Sequence, residues 1–405
     1  MNKTPKLRFN EFNGDWKPKK LGELLEFKNG INASKEQYGF GIKFINVLDV
    51  LNNDYITYDN IIGKVDIDEE TLEKNSVEYG DVLFQRSSET REEVGTANVY
   101  LDKEKKATFG GFIIRGKKNG EYNPVFINKL LKTSKARKEI TSRTGGSTRY
   151  NVGQEILKEV ELLFPSDDEQ KKIGKFLYLV DIKVQKQNEK IQIMQNYKKG
   201  IMQKIFKQKI KFKDENGREY PNWQEKRLRE VLKERKTYST KGLEYPHVTL
   251  SKDGIYDKGE RYERDFLVKT ENKSYKVTLL GDICYNPANL KFGVICINNY
   301  GDAIFSPIYV TFEVNKNFDN NYIGYFLMRR DFIDRVRRYE EGTVYERMSV
   351  KPEDFLKYKT KFPCLCEQEK IAKLFIKIDE KIEKENDKLV LLNTLRKGLL
   401  QQMFI

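Results

Sequence analysis

A stretch that returns nearly unchanged later in a chain constrains its fold strongly, because each copy has to build the same local unit. Here Glu169-Gln170-Lys171-Lys172-Ile173 returns as Glu367-Gln368-Glu369-Lys370-Ile371. Lys199-Gly200-Ile201-Met202-Gln203 returns as Lys397-Gly398-Leu399-Leu400-Gln401 at the same offset, which Phe164-Pro165 and Phe362-Pro363 share. Upstream the likeness is looser. Trp16 with Leu21, Leu24 and Leu25 matches Trp223 with Leu228, Val231 and Leu232, and Gly80-Asp81-Val82-Leu83-Phe84 matches Gly281-Asp282-Ile283-Cys284-Tyr285. Gly145, Thr148 and Tyr150 lie in a segment like that of Gly342, Thr343 and Tyr345.

The repeat divides the 405 residues into a globular unit (1–165), a long helix (166–206), a turn-rich linker (207–219), a second globular unit (220–363) and a second long helix (364–405). Short Val/Ile/Phe/Tyr runs between Gly and Asn turns, such as Lys43–Val47 and Tyr309–Phe312, read as strands. Short helices are expected after Trp16 and Trp223, and longer ones over Phe126–Arg143 and Tyr322–Tyr339. The fold class is therefore α+β, with mixed or antiparallel sheets in two tandem domains.

The two long segments lack Pro, hold one Gly each and carry apolar residues at helical spacing. Steps of four and three along the first pass through Val184, Gln187, Ile191, Met194, Lys198 and Ile201; along the second, through Ile382, Glu385, Leu389, Leu392, Arg396 and Leu399. The polar positions coincide between the copies. An antiparallel coiled coil, with pseudo-two-fold symmetry, would set Lys198 against Glu385 and Gln187 against Arg396, and would match apolar to apolar elsewhere. The alternative is that each helix packs on its own domain. A helix of this length spans on the order of 55 Å.

Lys plus Arg number 75 and Asp plus Glu 61, a net charge of +14 that suits a polyanionic partner. The four cysteines (Cys284, Cys296, Cys364 and Cys366) are too few for a disulfide scaffold, and with His247 the only histidine they form no zinc pattern. Met1–Lys6 has no apolar signal core, and no segment approaches the roughly 20 apolar residues of a membrane span. A cytoplasmic protein without a metal is expected.

Catalytic patterns are missing. Asn286-Pro287-Ala288-Asn289 lacks the second Pro and the aromatic of an adenine-methyltransferase motif, and Phe109-Gly110-Gly111-Phe112 is not a cofactor loop. No phosphate-binding Gly-x4-Gly-Lys-Ser/Thr occurs. Pro165–Lys171 superficially resembles an acidic nuclease motif, but Pro363-Cys364-Leu365-Cys366 in the second copy has no Asp, and helix capping accounts for acids at a helix start.

Two domains, each followed by a helix that opens Glu-Gln-x-x-Ile and closes Lys-Gly-x-x-Gln-x-x-Phe, resemble the specificity subunit of type I restriction–modification systems. Trp16–Leu24 is similar to that family's entrance into a recognition domain. The likeness covers nearly the whole chain. It implies a non-catalytic, sequence-specific DNA-binding subunit, in which each domain reads one half of a bipartite target. The paired helices would set the spacer and dock two modification subunits, which carry S-adenosylmethionine and methylate adenine. Restriction subunits would add ATP- and Mg-dependent translocation and cleavage. The alternative is a stand-alone structural or regulatory DNA-binding protein of the same architecture.

Base reading needs forked donors and amides on loops held by a scaffold. The first domain offers Gln85, Arg86, Ser87, Ser88 and Arg91, then Ser147, Thr148, Arg149 and Tyr150. The second offers Asn286, Asn289 and Lys291, then Thr343, Tyr345 and Arg347. A basic run, Lys198, Lys199, Lys204, Lys207, Lys209, Lys211 and Lys213, suits either spacer phosphates or a helix C-terminus.

Overall fold

The computed structural model describes residues 4–145, 149–240, 245–258, 274–340 and 348–405. They form two compact units, one of Met1–Lys190 with Glu385–Ile405 and one of Ile191–Lys384.

Both units are built on the same antiparallel sheet. In the first the strand order is Leu25–Asn29, Ile113–Lys118, Val82–Gln85, Ala97–Val99. In the second it is Leu232–Glu234, Val310–Val314, Ile283–Tyr285, Ile295–Ile297. A parallel pairing of Phe44-Ile45 with Thr108-Phe109 makes the first domain mixed. The second domain's central strand and its neighbour Ile295–Ile297, which sets Cys296 opposite Cys284, explain two cysteines. Successive side chains point to opposite faces, so Ile283 and Tyr285 enter the main core while Cys284 and Cys296 enter a smaller one. Both thiols are free, and burial pushes each up to about 12. In the first unit Val82 and Phe84 face the main core and Leu83 the smaller one.

The short helices after Trp16 and Trp223 are Leu21–Leu24 and Leu228–Val231. The two longer helices expected within the domains are each broken. Pro124–Leu131 is followed by Ser134–Ser142, and Asn320–Leu327 by Arg330–Val336. The break in the first follows from Thr133, whose hydroxyl accepts from the Ala136 N–H at 3.3 Å and starts a new helix.

The long helices run Asp167–Phe206 and Leu365–Gln402. Their opening Glu-Gln does the same work twice. Gln170 Nε2 donates to Pro165 O (3.1 Å) and its Oε1 accepts from Asn123 N (3.2 Å). Gln368 Nε2 donates to Pro363 O (2.8 Å) and its Oε1 accepts from Asp319 N (3.1 Å). One side chain thus ties the start of the long helix to the strand before it and to the cap of a domain helix. The neighbouring carboxylates differ: Glu169 takes a forked pair from Arg8 at 2.8 and 2.7 Å, whereas Glu367 accepts from Trp223 Nε1 at 3.1 Å.

The closing Phe of each helix enters an aromatic cluster around a tryptophan. Phe404 packs against Trp16 and Phe126, with ring centroids 6.2 and 5.3 Å away. Phe206 packs against Trp223, Tyr322 and Phe326 at 6.5, 5.6 and 5.7 Å. Hence the last turns of the second helix complete the first unit, and the last turns of the first helix complete the second.

Within each unit the helices run antiparallel, as the seam predicts, but the register differs from the predicted one. Lys198 does not take Glu385, nor Gln187 Arg396. Lys198 Nζ reaches Asp379 at 2.5 Å, and Gln187 Nε2 donates to Glu385 Oε2 at 2.8 Å. Arg396 Nη1 lies 3.2 Å from Asp54 and 3.6 Å from Asp181. Asp181 and Asp379 follow the seam residues Val180 and Ile378 and also repeat between the copies. Full charge complementarity with these aspartates outweighs the matching of seam position to seam position. Gln187, Lys190 and Lys388 hold the Glu385 carboxyl down to about 2. Val184, Ile191, Ile382 and Leu399 are buried, Met194 and Ile201 pack at the edge of the second core, and Leu389 and Leu392 are half-buried.

Asp181 is the centre of the first unit's polar network. It accepts from Tyr55 Oη at 2.5 Å and pairs with Lys129 Nζ at 2.6 Å, both charges being about 5 % exposed or less. Lys132, beside Lys129, is pushed down to about 8, first by burial and then by its cationic neighbour.

Two measurements check this packing. Under oxidising conditions a Gln187→Cys/Glu385→Cys pair should cross-link, while Gln187→Cys/Arg396→Cys should stay reduced. Asp181→Ala should cost about 3 kcal/mol in a denaturant titration, because it strands a buried ammonium. Adding Lys129→Met should recover most of that loss; an unrecovered loss would mean that the pair is not what Asp181 serves.

Candidate nucleic-acid interface

In the first domain the two loop segments singled out in the sequence meet. Ser87-Ser88 pairs as a short strand with Tyr150-Asn151, so Ser88 lies opposite Tyr150 and Ser87 opposite Asn151. Arg86 leaves the central strand directly after Gln85. Its amide donates to Phe112 O (2.9 Å) and its carbonyl accepts from Val152 N (3.0 Å). Backbone bonds on both sides therefore fix the point from which the exposed Arg86 side chain departs. Its guanidinium reaches Gly111 O at 3.4 Å.

Arg149 stands over the Phe112 ring, 5.8 Å from its centroid. Arg86, Ser87, Arg149, Asn32, Asn151, Gly111 and Phe112 line one open pocket of about 340 Å³. Gln85, Ser87, Ser88, Glu89, Glu93 and Arg149 contribute to a neighbouring one of about 380 Å³, which Phe112 also borders. Forked cations, amides, hydroxyls and carboxylates on one face are the donor and acceptor types that base edges require.

The remaining members play other parts. Gln85 is buried; its Nε2 donates to Ser87 O (3.1 Å), and its Oε1 has no protein partner. Ser88 Oγ donates to Glu93 at 3.0 Å. Arg91 is exposed and bonds Thr141 O at 3.1 Å, which places it beside the helix Ser134–Ser142. Ser147 and Thr148 lie outside the described residues.

In the second domain, the strand Ile283–Tyr285 leads into a 3-10 turn, Pro287–Phe292. Asn286 is buried as its cap, its Oδ1 accepting from Ala288 N and Asn289 N at 3.1 and 3.3 Å. That oxygen is committed to the turn. Asn289 and Lys291 are half-buried, and Lys291 O accepts from Arg330 at 2.7 Å. Thr343, Tyr345 and Arg347 lie outside the described residues.

Sequence reading missed Phe112, Asn32 and Asn151. The signal for Phe112 was the register: Ile113 lies opposite Gln85, so the turn before Ile113 must sit beside Arg86.

Among the described residues no group of three or more His, Cys, Asp or Glu is placed to hold a metal ion, and no helix is long and apolar enough to cross a membrane. The basic run is partly spent internally, Lys198 on Asp379 and Lys211 on Glu219 (3.2 Å).

Residues 13–195 match the family model described as the type I restriction modification DNA specificity domain. The putative type I restriction enzyme MjaX specificity subunit of Methanocaldococcus jannaschii is 25 % identical over 409 residues, covering 93 % of this chain and 90 % of that protein. The MjaIX specificity subunit of the same organism is 27 % identical over 233 residues, 54 % of this chain and 52 % of that one. The fold is shared with the S subunit of a type I restriction–modification system from M. genitalium, at a TM-score of 0.57, 16 % identity and 99 % coverage of both chains. A second solved structure, from work on complex assembly and conformational transition of the type I system, gives 0.57 at 13 % identity, covering 96 % of this chain and 97 % of that one. Residues 13–195 thus carry the type I restriction modification DNA specificity domain, and the chain as a whole is similar in sequence and fold to type I restriction–modification specificity subunits.

Proposed function

We propose that the chain reads a bipartite DNA target, residues 1–165 taking one part and residues 220–363 the other. The observation that carries this reading is the pairing of like scaffolds with unlike loops. The two sheets have the same strand order, yet the strand that ends in Gln85-Arg86-Ser87-Ser88 in one domain ends in Asn286-Pro287-Ala288-Asn289 in the other. Two readers of different sequences need one frame and two sets of side chains.

The paired helices would fix the distance between the readers, hence an unread spacer, on the order of one helical turn between half-site centres. They would also dock two modification subunits. S-adenosylmethionine would enter with those subunits, ATP and Mg with restriction subunits, and this chain would perform no chemistry itself. The net charge of +14 favours binding to phosphates of any sequence, which positions the readers without informing them.

The test is to co-express the chain with a modification subunit and map methylated adenines across the host genome. Two short defined parts around a constant spacer are expected. Exchange of residues 1–165 for those of a relative should then alter one part alone. Absence of methylation, with the purified chain binding one DNA sequence tightly by itself, would replace this reading with a stand-alone DNA-binding protein.

A further inference from the structure

Large apolar side chains scattered singly over a surface are ordinary. Two of them on this chain are not scattered. Phe112 is 59 % exposed and Ile308 is 65 % exposed. Phe112 is the third residue of a turn closed by Ile113 N donating to Gly110 O at 2.9 Å, and Ile308 is the third residue of a turn closed by Tyr309 N donating to Ser306 O at 3.0 Å. Each turn comes just after a short strand that ends in phenylalanine, Thr108-Phe109 or Ala303–Phe305. Each also runs directly into the strand beside the reading strand: Ile113 lies opposite Gln85, and Val310 opposite Tyr285. The tandem fold therefore presents one exposed apolar side chain at the same place in both domains, next to the loop with base-reading chemistry.

The surroundings argue against an accident of packing. The Phe112 turn is closely packed: an added Cβ on Gly111 would fall 2.0 Å from Asn32 Oδ1, and one on Gly30 would fall 2.1 Å from Gly110 O. The Arg86 amide holds the carbonyl of Phe112 itself, and the ring lies under the Arg149 guanidinium. An exposed ring that borders two polar pockets, beside Arg149 and Arg86, gains nothing from water. Against duplex DNA it gains an apolar partner, either a thymine methyl in the groove or the face of a base at a loosened step.

We propose that Phe112 and Ile308 contact the bases of the DNA, one in each half of the target, and set specificity there by shape and apolar contact. The inference rests on the bipartite reading above. The shared chemistry, an apolar contact to a base, is what the geometry assigns.

The experiment uses the complex with its modification subunit and duplexes that carry the target mapped by methylation. Every base pair of both halves is substituted in turn, and binding is measured for the wild type, Phe112→Ala, Phe112→Leu and Ile308→Ala. Backbone bonds to residue 112 survive these changes, so only the side chain is tested. For the wild type each wrong base pair should weaken binding on the order of ten-fold or more. With Phe112→Ala at least one position in a single half should lose most of that penalty, and Ile308→Ala should do the same in the other half. Phe112→Leu should keep much of the discrimination. Unchanged penalties throughout, or an equal loss of affinity for target and unrelated DNA, would overturn the inference while leaving the bipartite reading intact. A wild-type complex without discrimination in either half would overturn both.

Discussion

The docking of Phe404 on Trp16 and Phe126, and of Phe206 on Trp223, Tyr322 and Phe326, is the contact on which the rest of the structure depends. Each long helix begins on the domain that precedes it and ends in an aromatic cluster built by the other half of the sequence. Leu399, Met403 and Phe404 are members of the first unit's core, and Ile205 of the second's. Aromatic side chains of this size dominate core energetics, so neither recognition domain has a complete core without the far end of a helix. The motif Lys-Gly-x-x-Gln-x-x-Phe repeats because the socket repeats.

Charge then fixes the register that the apolar seam leaves open. An alternating seam permits several antiparallel alignments that bury similar area. Lys198 on Asp379 and Arg396 beside Asp181 and Asp54 use residues at matched places in the two copies, so one alignment serves both units. Asp181 carries more than its counterpart, since it also satisfies the buried Lys129 and accepts from Tyr55. Asp379 instead accepts from Tyr325 Oη at 2.7 Å. The same frame thus tolerates different buried networks, as it tolerates different loops after the central strand.

Much of this was legible in the sequence, for a physical reason in each case. The repeat exposed the two like sheets and the two long helices, because equal segments must fold alike. Period-2 strands and the Gly-Asp approach to each central strand located the loops that follow Phe84 and Tyr285. The register of the helices was not legible from the seam, because Asp181 and Asp379 stand one residue off the apolar walk and speak only through their partners. The break at Thr133 was hidden because apolar periodicity runs through it, while the hydroxyl that starts the second helix acts locally. Asn286 looked like a base reader by residue type, but its carbonyl oxygen is spent on capping. Phe112 was passed over because a Gly-Gly-Phe turn has no chemistry until the fold sets it beside Arg86 and Arg149.

Amide hydrogen exchange on Phe404→Ala tests the central claim most directly, since local opening reports which core a side chain completes. The variant should lose protection in residues 4–145, around Trp16 and Phe126, and keep it in residues 220–340, although the substitution lies in the helix that follows the second domain. Loss of protection in residues 220–340 instead, with residues 4–145 unchanged, would contradict the reciprocal docking and the architecture drawn from it.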